Sequence, residues 1–233
     1  MIFSAVFNAF FPLRCPGCDG INDTKSSLCS DCSERMLHPS RKKNRCDICF
    51  LSAKECICAK RQYYDKLCVP LYYEGKTRSA LHRLKFRGRR DLAKPIAKLI
   101  TEALRERDML EKTDYITFIP MRRYDRFVRG YNQAELIARE ISAISGIPCE
   151  KLLRKTVKTP KQHLLNRTER SGNLLGVFEP EKDKADIISG KTILVADDII
   201  TTGCTANEIS KTLLIFGAES VEICACAAPK KIK

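Results

Sequence analysis

The sequence predicts an α/β fold, a largely parallel sheet with helices on both faces, preceded by a small cysteine-rich module. Three observations carry this. Residues 115–119, 193–196 and 221–228 read as strands, and Ile193 to Ala196 form a continuous apolar, β-forming run, as a strand buried on both faces requires. Helical stripes follow two of them, Leu136, Ile137 and Ile141 after the first and Ile209, Leu213 and Phe216 after the second. Nine of the thirteen cysteines precede Pro70. The 233 residues suffice for one α/β domain of about 150 residues plus an appendage, and the composition divides the chain into a module over 1–62 and a domain over 63–233.

Residues 1–13 are apolar but fall short of the roughly 20 residues that span a bilayer, and they lack a basic flank. They are expected to pack on the module or on a partner. With no signal peptide and no other apolar stretch of spanning length, a reducing cytoplasm is the expected compartment. The cysteines then read as metal ligands. Paired knuckles present two sulfurs each to a tetrahedral zinc, which assigns Cys15, Cys18, Cys29 and Cys32 to one ion and Cys46, Cys49, Cys56 and Cys58 to a second. The Cys56-x-Cys58 spacing is one residue short, so the first set is the better formed. A disulfide framework and an iron–sulfur cluster are the competing uses, and a reducing compartment disfavours disulfides. Four protein ligands per ion mean structural metal with no open position for catalysis.

The formal charge of +14 falls to about +10 once two four-thiolate zinc sites are counted. The excess is regional: residues 76–130 hold sixteen Lys and Arg against seven acids, and residues 151–170 hold seven against one. One cluster, residues 83–90, offers Lys85, Arg87, Arg89 and Arg90 to a nucleic-acid backbone. A second, with Arg122, Arg123, Arg126 and Arg129, lies in a loop expected over 120–133 that follows strand 115–119, where a diphosphate would need counter-charge and bidentate donors. A solvated surface is the ordinary use of such residues. Interleaved Phe86, Tyr124, Phe127 and Tyr131 could stack bases, although Phe86 and Phe127 are expected to be half-buried.

In residues 191–205 an apolar run ends in Asp197 and Asp198, followed by the small hydroxylated turn Thr201, Thr202, Gly203, Cys204 and Thr205. Strand, loop and helix in that order put the turn at the carboxyl end of a strand, where open α/β sheets bind ligands. Its backbone N–H groups and hydroxyls can cradle an anion. The two acids would repel a bare phosphate, so they either accept hydrogen bonds from hydroxyls or hold a divalent metal. A sugar phosphate satisfies both halves.

That stretch resembles the loop of type I phosphoribosyltransferases that binds PRPP, 5-phosphoribosyl-1-pyrophosphate. The resemblance implies that Asp197 and Asp198 hold the ribose 2- and 3-hydroxyls and that residues 201–205 wrap the 5-phosphate. The segment Arg126-Phe127-Val128-Arg129-Gly130-Tyr131-Asn132-Gln133 is similar to one in the ComF/GntX family of competence-associated, phosphoribosyltransferase-like proteins. So are the amino-terminal knuckles, which read as a double zinc ribbon, the Leu84-Lys85-Phe86 triplet, and the stretch from Gln162 through Leu165 and Arg167 to Arg170, Asn173 and Phe178. The similarity covers essentially the whole chain. It implies Mg-dependent phosphoribosyl transfer assisted by Arg126 and Arg129, a role in DNA uptake, and partners among single-stranded DNA and other competence or replication proteins. In such enzymes a mobile loop closes over PRPP. Residues 156–173, polar and broken by Pro160 and Gly172, fit that part, with Lys161, Gln162 and Arg167 as contacts and His163 facing solvent.

Two departures narrow the chemistry. Purine phosphoribosyltransferases carry an acid, used as general base, where this chain has Thr201, and a threonine cannot take that proton at neutral pH. Glutamine-dependent transfer uses an amino-terminal cysteine, whereas position 2 is Ile2 and the early cysteines have metal-ligand spacing. Late in the chain, Cys224 and Cys226 alternate within a strand as small apolar residues.

Overall fold

A computed structural model describes residues 15, 17, 18, 20, 21, 28–32, 46, 62–156 and 177–229. The domain is a parallel sheet covered on both faces, the predicted type I phosphoribosyltransferase-like fold. Strands β1 (Lys66–Cys68) and β2 (Leu71–Tyr72) form one interrupted edge, both pairing in parallel with β7 (Ser220–Ala228). Next come β6 (Thr192–Ile199) and β3 (Tyr115–Phe118), also parallel. Beyond β3, Cys149 bridges Ile116.

Alternation along the central strands divides the core in two. Leu194, Ala196, Cys224 and Cys226 face helices α2 (Ala93–Arg105) and α4 (Gln133–Ser145), packing with Ile96, Ile100, Ile137 and Ile141. Ile193, Val195, Val221 and Ile223 face α6 (Cys204–Ile215), packing with Ile209 and Leu213. Cys224 and Cys226 are fully buried in this packing, and burial raises both thiols. Cys15, Leu28 and Cys32 of the amino-terminal module pack into the first cluster, and Lys76 on α1 (Gly75–Phe86) reaches Asp31 at 2.9 Å.

The remaining elements shape the carboxyl end of the sheet. Helix α3 (Arg123–Arg129) follows β3, and β4 (Leu153–Lys155) pairs antiparallel with β5 (Phe178–Pro180). The short α5 (Ala185–Ile188) leads into β6. Among the described residues no helix is long and apolar enough to cross a membrane.

Three expectations need correction. The strand predicted over 193–196 runs on to Ile199, so Asp197 and Asp198 belong to the strand: Asp197 pairs with Ala225 and Ile199 with Ala227. The loop expected over 120–133 contains α3, which ends where Gly130 adopts φ +78°. No residue of α3 is buried, so Phe127 is 86% exposed, and Phe86 at the end of α1 is 60% exposed, where half-burial was expected. The contacts proposed for Lys161, Gln162, His163 and Arg167 lie outside the described residues, as do residues 1–13 and Cys49, Cys56 and Cys58.

Candidate functional site

The site is assembled at the carboxyl ends of β3 and β6. The register sets Phe118 opposite Ala196, and the Ile119 amide donates to the Ala196 carbonyl at 3.1 Å. The two segments singled out in the sequence, the acid pair and the arginine segment, therefore leave the sheet side by side.

Asp198 is 5% exposed, and its Oδ2 has no hydrogen-bond partner among the described residues. Its backbone amide donates to Asp197 Oδ1 at 2.8 Å. Burial and then the neighbouring Asp198 carboxylate push the Asp197 carboxyl well above the usual carboxylate range, while the Lys85 ammonium pulls it back. Lys85, predicted as a nucleic-acid contact, thus acts electrostatically on the acid pair. A buried carboxylate oxygen without a donor lacks what a sugar hydroxyl or a divalent metal supplies.

The turn after β6 is open. Thr201, Thr202, Cys204 and Thr205 are exposed, while Gly203 is buried at φ +75°, 3.4 Å from the Tyr64 hydroxyl as measured from the position of an added Cβ. Thr202 Oγ1 accepts from the Cys204 amide at 3.4 Å, and no side chain caps α6 from the Gly203 position. Cys204 and Thr205 begin α6 rather than ending a loop, which directs the first-turn N–H groups toward the turn.

Beyond the end of β3 lies a cavity of about 910 Å³, lined by Phe118 and Pro120 from β3 and its exit, by Arg122, Arg123 and Arg126, and by Lys151, Arg154 and Lys155 before and within β4. Some of these cations are already engaged. Arg154 pairs with Glu179 at 3.2 Å, Lys151 with Glu181, and Arg126 with Glu135 at 3.2 Å. Among the described residues Arg122, Arg123 and Lys155 have no carboxylate partner within ion-pair distance. Burial, and then the Arg122 guanidinium, lower the Lys155 ammonium against the opposing pull of Asp125 and Asp197. Those interactions connect the cavity to the acid pair. Lys151, Arg154 and Lys155 carry no motif, and the cationic excess of residues 151–170 was the only sign of them.

Most of the arginine-segment motif has structural work. Asn132, 4% exposed, caps α4 by accepting from the Ala134 amide at 3.0 Å and donates to the Ile119 carbonyl at 3.0 Å, tying the cap to the end of β3. The Tyr131 hydroxyl donates to the Leu84 carbonyl, and the Arg90 guanidinium sits 4.5 Å above the Tyr131 ring. Arg129 donates to Gln133 at 2.6 Å and lies 5.2 Å from the Phe86 ring centre. Of the two arginines predicted to be catalytic, Arg126 lines the cavity, while Arg129 is held against Gln133 and Phe86. Arg87 and Arg89 line a separate cavity beside α1.

The sulfurs of Cys15, Cys18, Cys29 and Cys32 all lie within 4.8 Å of one another and could hold a metal ion. Tetrahedral zinc at about 2.3 Å from each sulfur separates the sulfurs by about 3.8 Å, and Cys18 and Cys29 are 3.8 Å apart. Burial opposes ionisation of Cys15, yet the amides of Cys29, Cys18 and Gly17 bring its thiol below the usual range, whereas burial and the neighbouring sulfurs raise Cys32. No disulfide joins the described cysteines. Of the second set only Cys46 is described.

Residues 130–232 match the phosphoribosyl transferase domain family. The chain is 30% identical over 225 residues to competence protein F of Haemophilus influenzae, covering 92% of this chain and 96% of that protein. It is 27% identical over 219 residues to the DNA utilization protein YhgH of Escherichia coli, covering 91% and 89%. It is 29% identical over 209 residues to competence protein ComFC of Streptococcus pneumoniae, covering 87% and 88%. The sheet, the acid pair with its turn, and near full-length similarity to competence protein F together make the chain a member of the ComF family of competence-associated, phosphoribosyltransferase-like proteins.

Proposed function

We propose that this protein binds PRPP with magnesium at the β3–β6 site and acts in DNA uptake, as the names of its relatives suggest. The observation that carries the reading is the orphaned, buried Oδ2 of Asp198, next to an open hydroxylated turn on one side and a cationic cavity on the other. A ribose whose hydroxyls meet Asp197 and Asp198 would set its 5-phosphate on residues 201–205 and its diphosphate toward Arg122, Arg123 and Lys155. Magnesium entering with PRPP would neutralise part of the diphosphate charge.

In transfer, a nucleophile attacks C1 of the ribose, the C1–O bond to the diphosphate breaks, and the bond's electron pair leaves with pyrophosphate. Arg122 and Lys155 would stabilise the leaving charge electrostatically. Thr201 supplies no base, so the acceptor must arrive as a competent nucleophile, ammonia being one candidate. The test is pyrophosphate release from Mg-PRPP by zinc-loaded protein across ammonia, amines and nucleobases. Zinc-loaded protein that neither binds nor consumes PRPP would overturn the proposal. Zinc in the four-cysteine site is structural on this reading, and the module is the surface on which other competence or replication proteins would dock.

A second reading, binding of single-stranded DNA, draws on the exposed Phe86 ring with Lys85 at 5.7 Å and Arg129 at 5.2 Å. A cation-flanked aromatic is how strand binders hold a base beside its phosphate. Affinity for an oligonucleotide that does not fall with added salt would count against it.

A further inference from the structure

We infer that the outward face of α1 is a second phosphate site, separate from the β3–β6 cavity, that takes the phosphate of a nucleotide, either free or within a strand. The helix buries Thr77, Ala80, Leu81 and Leu84. That spacing turns Arg78, Ser79, His82 and Arg83 away from the core, and with Arg87 and Arg89 they line a cavity of about 560 Å³. Four guanidinium groups and an imidazole border one space. Asp91 reaches this group, engaging Arg89 at 2.8 Å.

Arg83 is the decisive residue. Its Nε and Nη2 are shut off from solvent and have no hydrogen-bond partner among the described residues. Withdrawing a guanidinium from water without an acceptor is costly, and the surrounding cations add repulsion. A bound anion supplies the acceptors that are missing. A carboxylate offers two oxygens to one fork, whereas a phosphate presents three or more acceptors to Arg83 and its neighbours together. The aromatic surface beside the cavity specifies a nucleotide. Phe86 is 60% exposed, and its ring centre lies 4.9 Å from that of His82, which itself lines the cavity. A base can stack there while its phosphate enters. The inference draws on the strand-binding reading for one source of the phosphate and is independent of the PRPP reading, which uses other residues.

The test uses the zinc-loaded full chain, with pyrophosphate as the probe, no magnesium, and chloride at equal ionic strength as the control. Melting temperature is read for wild type, Arg83→Gln and Arg122→Gln. Arg83→Gln should melt no lower than wild type without the probe, because it removes a half-buried guanidinium with two enclosed, unpaired nitrogens, and it should lose the share of the pyrophosphate-induced rise that persists in Arg122→Gln, the β3–β6 cavity accounting for the remainder. Direct titrations with dTMP and with a 5′-phosphorylated ten-nucleotide dT strand then assign the source: dependence on Arg83 of about tenfold for the strand alone places the phosphate in nucleic acid, and equal dependence for dTMP places it in a free nucleotide. A pyrophosphate response unchanged in Arg83→Gln, or absent from wild type, would overturn the inference. So would loss of Mg-PRPP binding in Arg83→Gln, since the two pockets would then be one site.

Discussion

The Ile119 amide and the Ala196 carbonyl meet at 3.1 Å, one residue short of the acid pair. This bond is where the cationic exit of β3 and the acidic end of β6 are joined. A sugar phosphate bearing a diphosphate needs opposite chemistry at its two ends, hydroxyl acceptors at one and phosphate donors at the other, and the parallel register of β3 and β6 brings the acidic and the cationic segment to the same end of the sheet.

The acid pair should trade stability for binding. Burial and Asp198 raise the folded-state pKa of Asp197, so folding favours its protonated form. That contribution is fully present below the ordinary carboxylate value of 3.8 and is lost as pH rises through the raised value. Asp197→Asn should therefore melt higher than wild type at pH 7 to 8, with the gain vanishing in acid. Melting curves across pH check this; a variant that is less stable at pH 8 would mean that the carboxylate makes compensating contacts.

Arg122 should act on the diphosphate alone. Arg122→Gln is expected to weaken Mg-PRPP binding by about tenfold, the equivalent of one charge-assisted hydrogen bond, while leaving ribose 5-phosphate affinity unchanged. Competition calorimetry with both ligands separates the two ends of the site. Equal losses for both would place Arg122 elsewhere.

Gly203 holds the turn at φ +75°, where a side chain costs roughly 1–2 kcal/mol. Gly203→Ala should lower the melting temperature by about 2–8 °C, given roughly 2–4 °C per kcal/mol in a chain of this size. It should also weaken binding of the 5-phosphate, because Cβ approaches the Tyr64 hydroxyl and disturbs the entry to α6. Differential scanning calorimetry and ribose 5-phosphate titration are the checks.

The four-cysteine cluster should hold zinc and hold up the core. Cys15 and Cys32 sit within the same hydrophobic cluster as α2 and α4. Cys32→Ser should lose zinc by elemental analysis and melt several degrees lower, at about 2–4 °C per kcal/mol lost. Wild-type protein treated with a chelator should move the same way. Metal content unchanged in Cys32→Ser would remove that cysteine from the ligand set.

The sequence made the sheet legible because its strands are buried on both faces and read as mostly apolar runs, interrupted only by Thr117 in 115–119 and Glu222 in 221–228. The acid pair and its turn were legible for a related reason: they interrupt such a run abruptly. The extent of β6 was harder to see, since Asp197 and Asp198 look like loop residues until the pairing of Asp197 with Ala225 and of Ile199 with Ala227 holds the segment in the ladder. Helix α3 was hidden because it buries nothing, so its residues show no apolar stripe from which to read a period. The same lack of packing leaves Phe127 exposed. Lys155 and Arg83 were invisible as individuals among many cations. What marks them is tertiary: one is drawn toward Arg122 and Asp197 by the hairpin, and the other is left unpaired by the turn of α1.

The most direct test of the central claim is calorimetric titration of zinc-loaded protein with PRPP and Mg²⁺, run beside Asp197→Asn/Asp198→Asn. The account predicts saturable binding in wild type that disappears in the double variant, whose melting temperature is no lower than that of wild type. Absence of binding in both, or equal binding in both, would contradict it.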